Sequence, residues 1–175
     1  FFDFIDLAKR LQPKIVIAEN VKGILLGDAK KYCAAIYEAF DKAGFYLDKW
    51  LLDASKMGVP QRRERVFFIA IRKDLSDRLP SGFDLFNSMP CLDLEFIEKP
   101  IIFREIQEEN NRTAIINSYI KHWENADYTG RAKAESGNTF GFFYKALKTL
   151  PLATITSGGC YAIEDSPELL TSKEL

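Results

Sequence analysis

The stretch Pro13-Lys14-Ile15-Val16-Ile17-Ala18-Glu19-Asn20-Val21 constrains the fold of this chain more than any other. Ile15 to Ala18 are four apolar residues in a row, too few for a helix and too uniform for a strand with one wet face. The run predicts a central parallel strand buried on both faces. It ends abruptly in a carboxylate and an amide, Glu19 and Asn20. Open α/β sheets bind their ligands beyond the carboxyl ends of the strands, which puts Glu19 where chemistry would occur. Taken alone, Glu19 reads equally well as the first solvated residue after a strand.

The flanking segments agree with an α/β sheet. Phe1, Phe4, Ile5, Ala8 and Leu11 have helical spacing, and Pro13 stops that helix because the residue before proline is pushed out of the α region. Asp28 is the predicted N-cap of a second helix whose inner face carries Cys33, Ile36 and Phe40, and Gly44 ends it. On that face Cys33 is a small core residue rather than a nucleophile. Two strands then follow without a helix between them, over 45–52 and 66–71, which predicts an antiparallel pair at a sheet edge. From 74 to 100, Pro80, Gly82, Pro90 and Pro100 break the pattern into a surface excursion. Ile115, Ile116, Tyr119, Ile120 and Trp123 are spaced for one helix face, and Thr139 to Tyr144 reads as a strand with a glycine bend.

Composition excludes several classes. The net charge of −1 argues against a protein that coats DNA uniformly, yet the charge is uneven. Between Ala54 and Lys73 there are six basic residues and one acidic; between Leu92 and Asn111 there are six acidic and two basic. A local basic patch suits phosphate contact at one place, although charge alone fits a solvated loop as well. Cys33, Cys91 and Cys160 show no metal-ligand spacing and are odd in number, as in a reducing compartment. No apolar run approaches the roughly 18 residues of a membrane span. The single histidine, His122, reads as structural or exposed.

The context for Glu19 comes about forty residues later, where Gly58-Val59-Pro60-Gln61-Arg62-Arg63-Glu64-Arg65 leads into the strand from Val66. Together Glu19-Asn20-Val21 and Gln61-x-Arg63-x-Arg65 resemble the Glu-Asn-Val and Gln-x-Arg-x-Arg motifs of the DNA (cytosine-5)-methyltransferases. Ala153-Thr154-Ile155-Thr156-Ser157-Gly158-Gly159 and Leu170-Thr171-Ser172-Lys173-Glu174-Leu175 resemble that family's late Thr-Ile-Thr and Leu-Thr-Pro-Arg-Glu segments, with Ser172 and Lys173 replacing the usual Pro and Arg. The motifs stand in the family's order, and the stretch from about 75 to 150 carries little of the likeness.

The resemblance implies a fold, an activity and a set of residues. The fold is α/β: the C-terminal half of a Rossmann-like S-adenosylmethionine-dependent methyltransferase sheet over 1–100, a smaller irregular target-recognition region over 101–166, and a segment returning to the catalytic domain over 167–175. The activity is methyl transfer from S-adenosylmethionine to carbon 5 of cytosine in double-stranded DNA, with the base flipped out of the stack. In that chemistry a cysteine thiolate adds to carbon 6, and a carboxyl at N3 eases the negative charge the ring acquires. Glu19 is the implied carboxyl, Asn20 the residue that fixes the adjoining loop, Arg65 the donor to the base, and Arg63 the contact to the DNA backbone or catalytic loop. Gln61 holds its own loop, Arg62 faces phosphate or solvent, and Thr154 and Thr156 match residues on the DNA backbone, where simple β-propensity explains them equally well. Pro90-Cys91 is out of order for the family's nucleophile and lacks the following Gln. The resemblance places that nucleophile and the cofactor's glycine-rich loop upstream of Glu19, so the 175 residues alone are expected not to methylate and to leave a strand edge unpaired. It also implies a cytoplasmic setting of bacterial or phage type, with a cognate restriction endonuclease as a partner. A non-catalytic nucleic-acid-binding relative and a transfer-RNA cytosine-5-methyltransferase stay open.

Overall fold

The computed structural model describes residues 1–78, 94, 96–108, 112–126, 128, 143–156, 159–172 and 174–175. Their contacts fall into two compact units. The first holds Phe1–Leu52 and the described residues from Glu64; the second holds Asp53–Arg63 and those from Phe96. Cys91, Lys173 and most of the segment from Thr139 to Tyr144 lie outside the described residues.

In the first unit, helix α1 (Phe2–Leu11) leads to strand β1 (Ile15–Val21), helix α2 (Lys30–Lys42) and strands β2 (Phe45–Asp53) and β3 (Glu64–Arg72). The sheet order is β1-β3-β2, with β1 antiparallel to β3. The expectation for β1 is thus corrected: it is neither parallel to its neighbour nor buried on both faces. Val16 is 6% exposed, whereas Ile15 and Ile17 are 56% and 61% exposed. Successive strand residues point to opposite faces, and α1 and α2 cover only one of them. The core therefore gathers Ile5 and Ala8 from α1, Ile36 and Phe40 from α2, and Val16, Val66 and Phe68 from the sheet. A run of apolar residues carries no period and cannot report which face is covered.

Replacing Val16 by Asp puts an unpaired carboxylate in that core and is expected to cost about 3–5 kcal/mol. Chemical denaturation of the complete protein measures it, and a variant as stable as the parent would remove Val16 from the core.

Smaller corrections have local causes. Helix α1 ends on Gln12, left-handed at φ 47°, whose amide donates to the Ala8 carbonyl at 2.8 Å. Asp28 is not a cap; it lies in a 3₁₀ turn before α2 and pairs with Lys31. Cys33 packs against the core with its thiol donating to the Ile24 carbonyl at 3.3 Å.

The second unit carries its own sheet. Helix α3 (Phe103–Ile106), strand β4 (Thr113–Ala114), helix α4 (Ile120–Glu124) and strands β5 (Phe143–Ala146), β6 (Cys160–Ile163) and β7 (Glu168–Leu169) follow in order. The order in the sheet is β4-β7-β6-β5, with β5 and β6 parallel and the other pairs antiparallel. The one helix expected before Trp123 is broken into a short strand, a 3₁₀ turn and five residues of α4. The Ile115 amide leaves helical pairing to bond the Pro167 carbonyl at 2.8 Å. Strand β6 serves both faces: Tyr161 and Ile163 pack with Phe103 and Leu152, and Ala162 packs with Ile115 and Phe143.

Candidate active site

In the first unit the register of β1 on β3 sets Glu19 opposite Phe67 and Val21 opposite Arg65. Glu19 and Arg65 are thus diagonal neighbours on the face that the helices leave open, within reach of long side chains. Arg65 Nε lies 2.7 Å from Glu19 Oε1, with the Arg65 side chain 19% and that of Glu19 46% exposed. A second Arg65 donor, Nη1, bonds the Glu64 carbonyl at 2.9 Å. The guanidinium is thus fixed at two points, beside a carboxylate that is about half exposed. Lys22 Nζ spans both oxygens of Glu64 at 2.9 and 2.8 Å. Asn20 points to the other face, opposite Val66, and its Oδ1 accepts from the Val21 amide at 2.8 Å at the start of a 3₁₀ turn.

In the second unit the loop Asp53–Arg63 is closed at its base. Asp53 Oδ1 accepts from the amides of Ser55 and Arg63 at 3.1 and 3.2 Å, and the Ala54 amide donates to the Arg63 carbonyl at 3.1 Å. Gly58 turns the chain at φ 75°, a conformation glycine adopts without a Cβ penalty. The tip docks on a later segment: Gln61 forms a parallel bridge with Leu152, the Arg62 amide donates to the Leu152 carbonyl at 2.7 Å, and the Leu152 amide to the Pro60 carbonyl at 3.0 Å. Thr154 Oγ1 donates to the Arg62 carbonyl at 2.7 Å. The Arg62 guanidinium lies over the Tyr128 ring at 5.0 Å, and the Tyr128 hydroxyl donates to the Pro151 carbonyl at 2.7 Å. Burial pushes the Tyr128 phenol above its ordinary pKa; Arg62 opposes that shift and Asp53 adds to it. The Arg63 side chain is exposed, with its backbone taking part in closing the loop.

Thr156 is exposed, and its neighbourhood is built around Tyr161. The Tyr161 hydroxyl accepts from the Thr156 amide at 2.6 Å and donates to the Thr154 carbonyl at 3.0 Å. A Cβ on Gly159 would stand 2.6 Å from that hydroxyl, so only glycine fits there.

The motif residues are therefore gathered in two sets, Glu19 with Arg65 in one unit and Gln61, Arg62 and Thr154 in the other. Sequence reasoning missed Asp53 and Tyr128. The Asp-Ala-Ser order at 53–55 is a local signal for a carboxylate that caps a turn; Tyr128 gave none.

S-adenosylmethionine needs polar partners for an amino acid, a ribose and an adenine. The described glycines are scattered singly rather than gathered in a glycine-rich loop. The groove beside β1 is lined by apolar side chains such as Phe4, Leu11, Ile15 and Ile17. The described residues do not by themselves fit the cofactor.

The model of the C-5 cytosine-specific DNA methylase family matches residues 1–168. The chain belongs to that family. Over 75 residues the chain is 40% identical to orphan methyltransferase M.SPRI of Bacillus phage SPR, covering 43% of this chain and 17% of the phage protein. Over 76 residues it is 42% identical to type II methyltransferase M.FnuDI of Fusobacterium nucleatum, covering 43% and 22%. These alignments span about a fifth of each relative's length. Among solved structures it is similar to a variant of Spodoptera frugiperda DNMT2, with TM-score 0.57 and 17% identity over 91% of this chain and 45% of the other. It is also similar to Entamoeba histolytica methyltransferase EhMeth, with TM-score 0.55 and 15% identity over 93% and 49%. The likenesses of structure concern the fold, which is mixed α/β and part of a Rossmann-like methyltransferase sheet. Among the described residues no helix is long and apolar enough to cross a membrane.

Proposed function

We propose that this chain is part of a DNA (cytosine-5)-methyltransferase that modifies cytosine within a specific double-stranded DNA sequence, and that Glu19 and Arg65 receive the flipped base. S-adenosylmethionine supplies the methyl group when bound. The observation that carries this reading is the Glu19–Arg65 pair at 2.7 Å, set by strand register and with its carboxylate about half exposed. The Watson–Crick edge of cytosine presents an amine, N3 and O2 in a row. A carboxyl paired with a guanidinium suits that order: Glu19 at the amine and N3, Arg65 at O2. As the ring takes on negative charge, Glu19 holds or delivers a proton at N3 and Arg65 stabilises the charge at O2. Asn20 steadies the turn after β1. Arg62, Arg63 and Thr156 face the DNA backbone, and Gln61 holds their loop.

Methyl transfer from labelled S-adenosylmethionine by the complete protein, to duplex DNA against transfer RNA, tests this reading. Label in DNA supports it. Label in RNA alone, or in neither, would overturn it. Cytoplasmic residence and a cognate restriction endonuclease belong to the same proposal.

The two arginines should separate in such an assay. Arg65→Ala is expected to lower kcat more than duplex affinity. Arg63→Ala should instead weaken binding at all sequences and reduce the dependence of log K on log salt by about one. Equal salt slopes for parent and Arg63→Ala would remove the phosphate role.

Residues 101–166 are proposed to choose the DNA sequence, through side chains in the major groove, while residues 1–100 carry the chemistry. Exchanging 101–166 with the corresponding region of a relative of different specificity should move the methylated site, and an active chimera that keeps the original site would contradict this.

A further inference from the structure

We propose that Thr154 and Tyr128 are positioning residues, which hold the Gln61-Arg62-Arg63 run so that the Arg62 guanidinium is offered as a fixed fork to a DNA phosphate. This rests on the reading of the chain as part of a DNA methyltransferase. Hydrogen-bond capacity decides the role of Thr154. Its hydroxyl has one proton, and that proton goes to the Arg62 carbonyl at 2.7 Å. A phosphate oxygen only accepts, so Thr154 cannot donate to DNA while this bond stands. The same bond, with the Arg62 amide on the Leu152 carbonyl at 2.7 Å, pins both backbone polar groups of Arg62.

Tyr128 performs the matching task on the side chain. Its hydroxyl is anchored on the Pro151 carbonyl at 2.7 Å, which fixes the ring, and the guanidinium lies over the ring at 5.0 Å. A cation over a ring face gives up none of its N–H donors to a hydrogen-bond acceptor. Among the described residues no hydrogen bond or ion pair takes up those donors. A cation held over a ring, with its N–H donors unused, suits a bidentate phosphate contact. Segment 151–154 and Tyr128 thereby couple the second unit's later chain to the loop.

Two measurements on the complete protein test this. The first is made without DNA. The Arg62 Nε–H resonance should carry a ring-current shift in the parent, which Tyr128→Leu removes and Tyr128→Phe retains. An unchanged resonance in Tyr128→Leu would overturn the stack whatever DNA does. The second is affinity for a mixed-sequence DNA duplex across a salt series. Tyr128→Leu should bind about two- to five-fold more weakly, the range expected from an exposed cation–π contact. Neither Tyr128→Leu nor Thr154→Val should weaken binding further on an Arg62→Ala background. Thr154→Ser should bind like the parent where Thr154→Val does not. Losses that persist in full on the Arg62→Ala background would make Thr154 or Tyr128 direct DNA contacts and overturn the proposal. A parent that shows no salt-dependent duplex affinity while the ring-current result holds would instead sink the DNA reading, leaving the stack standing.

Discussion

Glu19→Gln in the complete protein is expected to lower kcat for the proposed methyl transfer by about 10²- to 10⁴-fold, the usual range for a positioned general acid or base. Folding should be almost untouched. Glu19 is 46% exposed, and a half-solvated ion pair with Arg65 contributes about 0–1 kcal/mol. Gln keeps an acceptor for Arg65 Nε and loses the proton that N3 needs as the ring becomes anionic. The deficit should therefore appear in kcat and kcat/KM together, with little change in duplex affinity, because the interaction is realised only in the transition state. Single-turnover methyl transfer by Glu19→Gln at the parent rate would remove Glu19 from the mechanism.

The second large effect is expected at the other end of the chain and is one of stability. The Glu174 side chain is fully buried and lies 2.5 Å from Arg112 Nη2. It also accepts from the amides of Glu108 and Thr171, both at 2.8 Å. One carboxylate thus ties the segment after α3 to the turn at 171–174. Glu174→Ala leaves a buried guanidinium without its partner and should cost about 3–5 kcal/mol, whereas a double variant with Arg112→Met should cost less. Denaturant midpoints of the three proteins measure this, and a single variant no worse than the double would show that the pair is not holding the segment.

The same group sets a pH dependence. Burial alone would raise the Glu174 pKa, but the Arg112 guanidinium and the Thr171 and Glu108 amides outweigh it and hold it below the ordinary value of 4.5. A carboxyl depressed in the folded state contributes stability above its unfolded pKa and loses it as pH falls through the folded one. The second unit should therefore weaken as pH drops below about 4.5. Glu174→Ala should lack that part of the pH profile. Asp165 is also lowered, by its hydrogen bond to Lys148, but its exposure makes its share small.

The sequence by itself determined the family and singled out Glu19, Arg65 and the Gln61–Arg63 run as candidates, because side-chain chemistry at fixed spacing survives without coordinates. It also indicated two helices and three strands before residue 72, the last two strands without a helix between them, since apolar periodicity is local. Tertiary structure alone decided the rest. Ile15 to Ala18 looked buried on both faces, yet coverage depends on which elements pack against a strand, and α1 and α2 take only one side. The diagonal meeting of Glu19 with Arg65 follows from an antiparallel register that no local pattern encodes. Asp53 acts through Arg63, ten residues on, whereas Tyr128 and Thr154 meet Arg62 from far along the chain. Glu174 stands in the segment that resembles the late Leu-Thr-Pro-Arg-Glu motif, which says nothing of its burial. It is buried because a guanidinium and two amides, from residues 108, 112 and 171, converge on one carboxylate and replace its water.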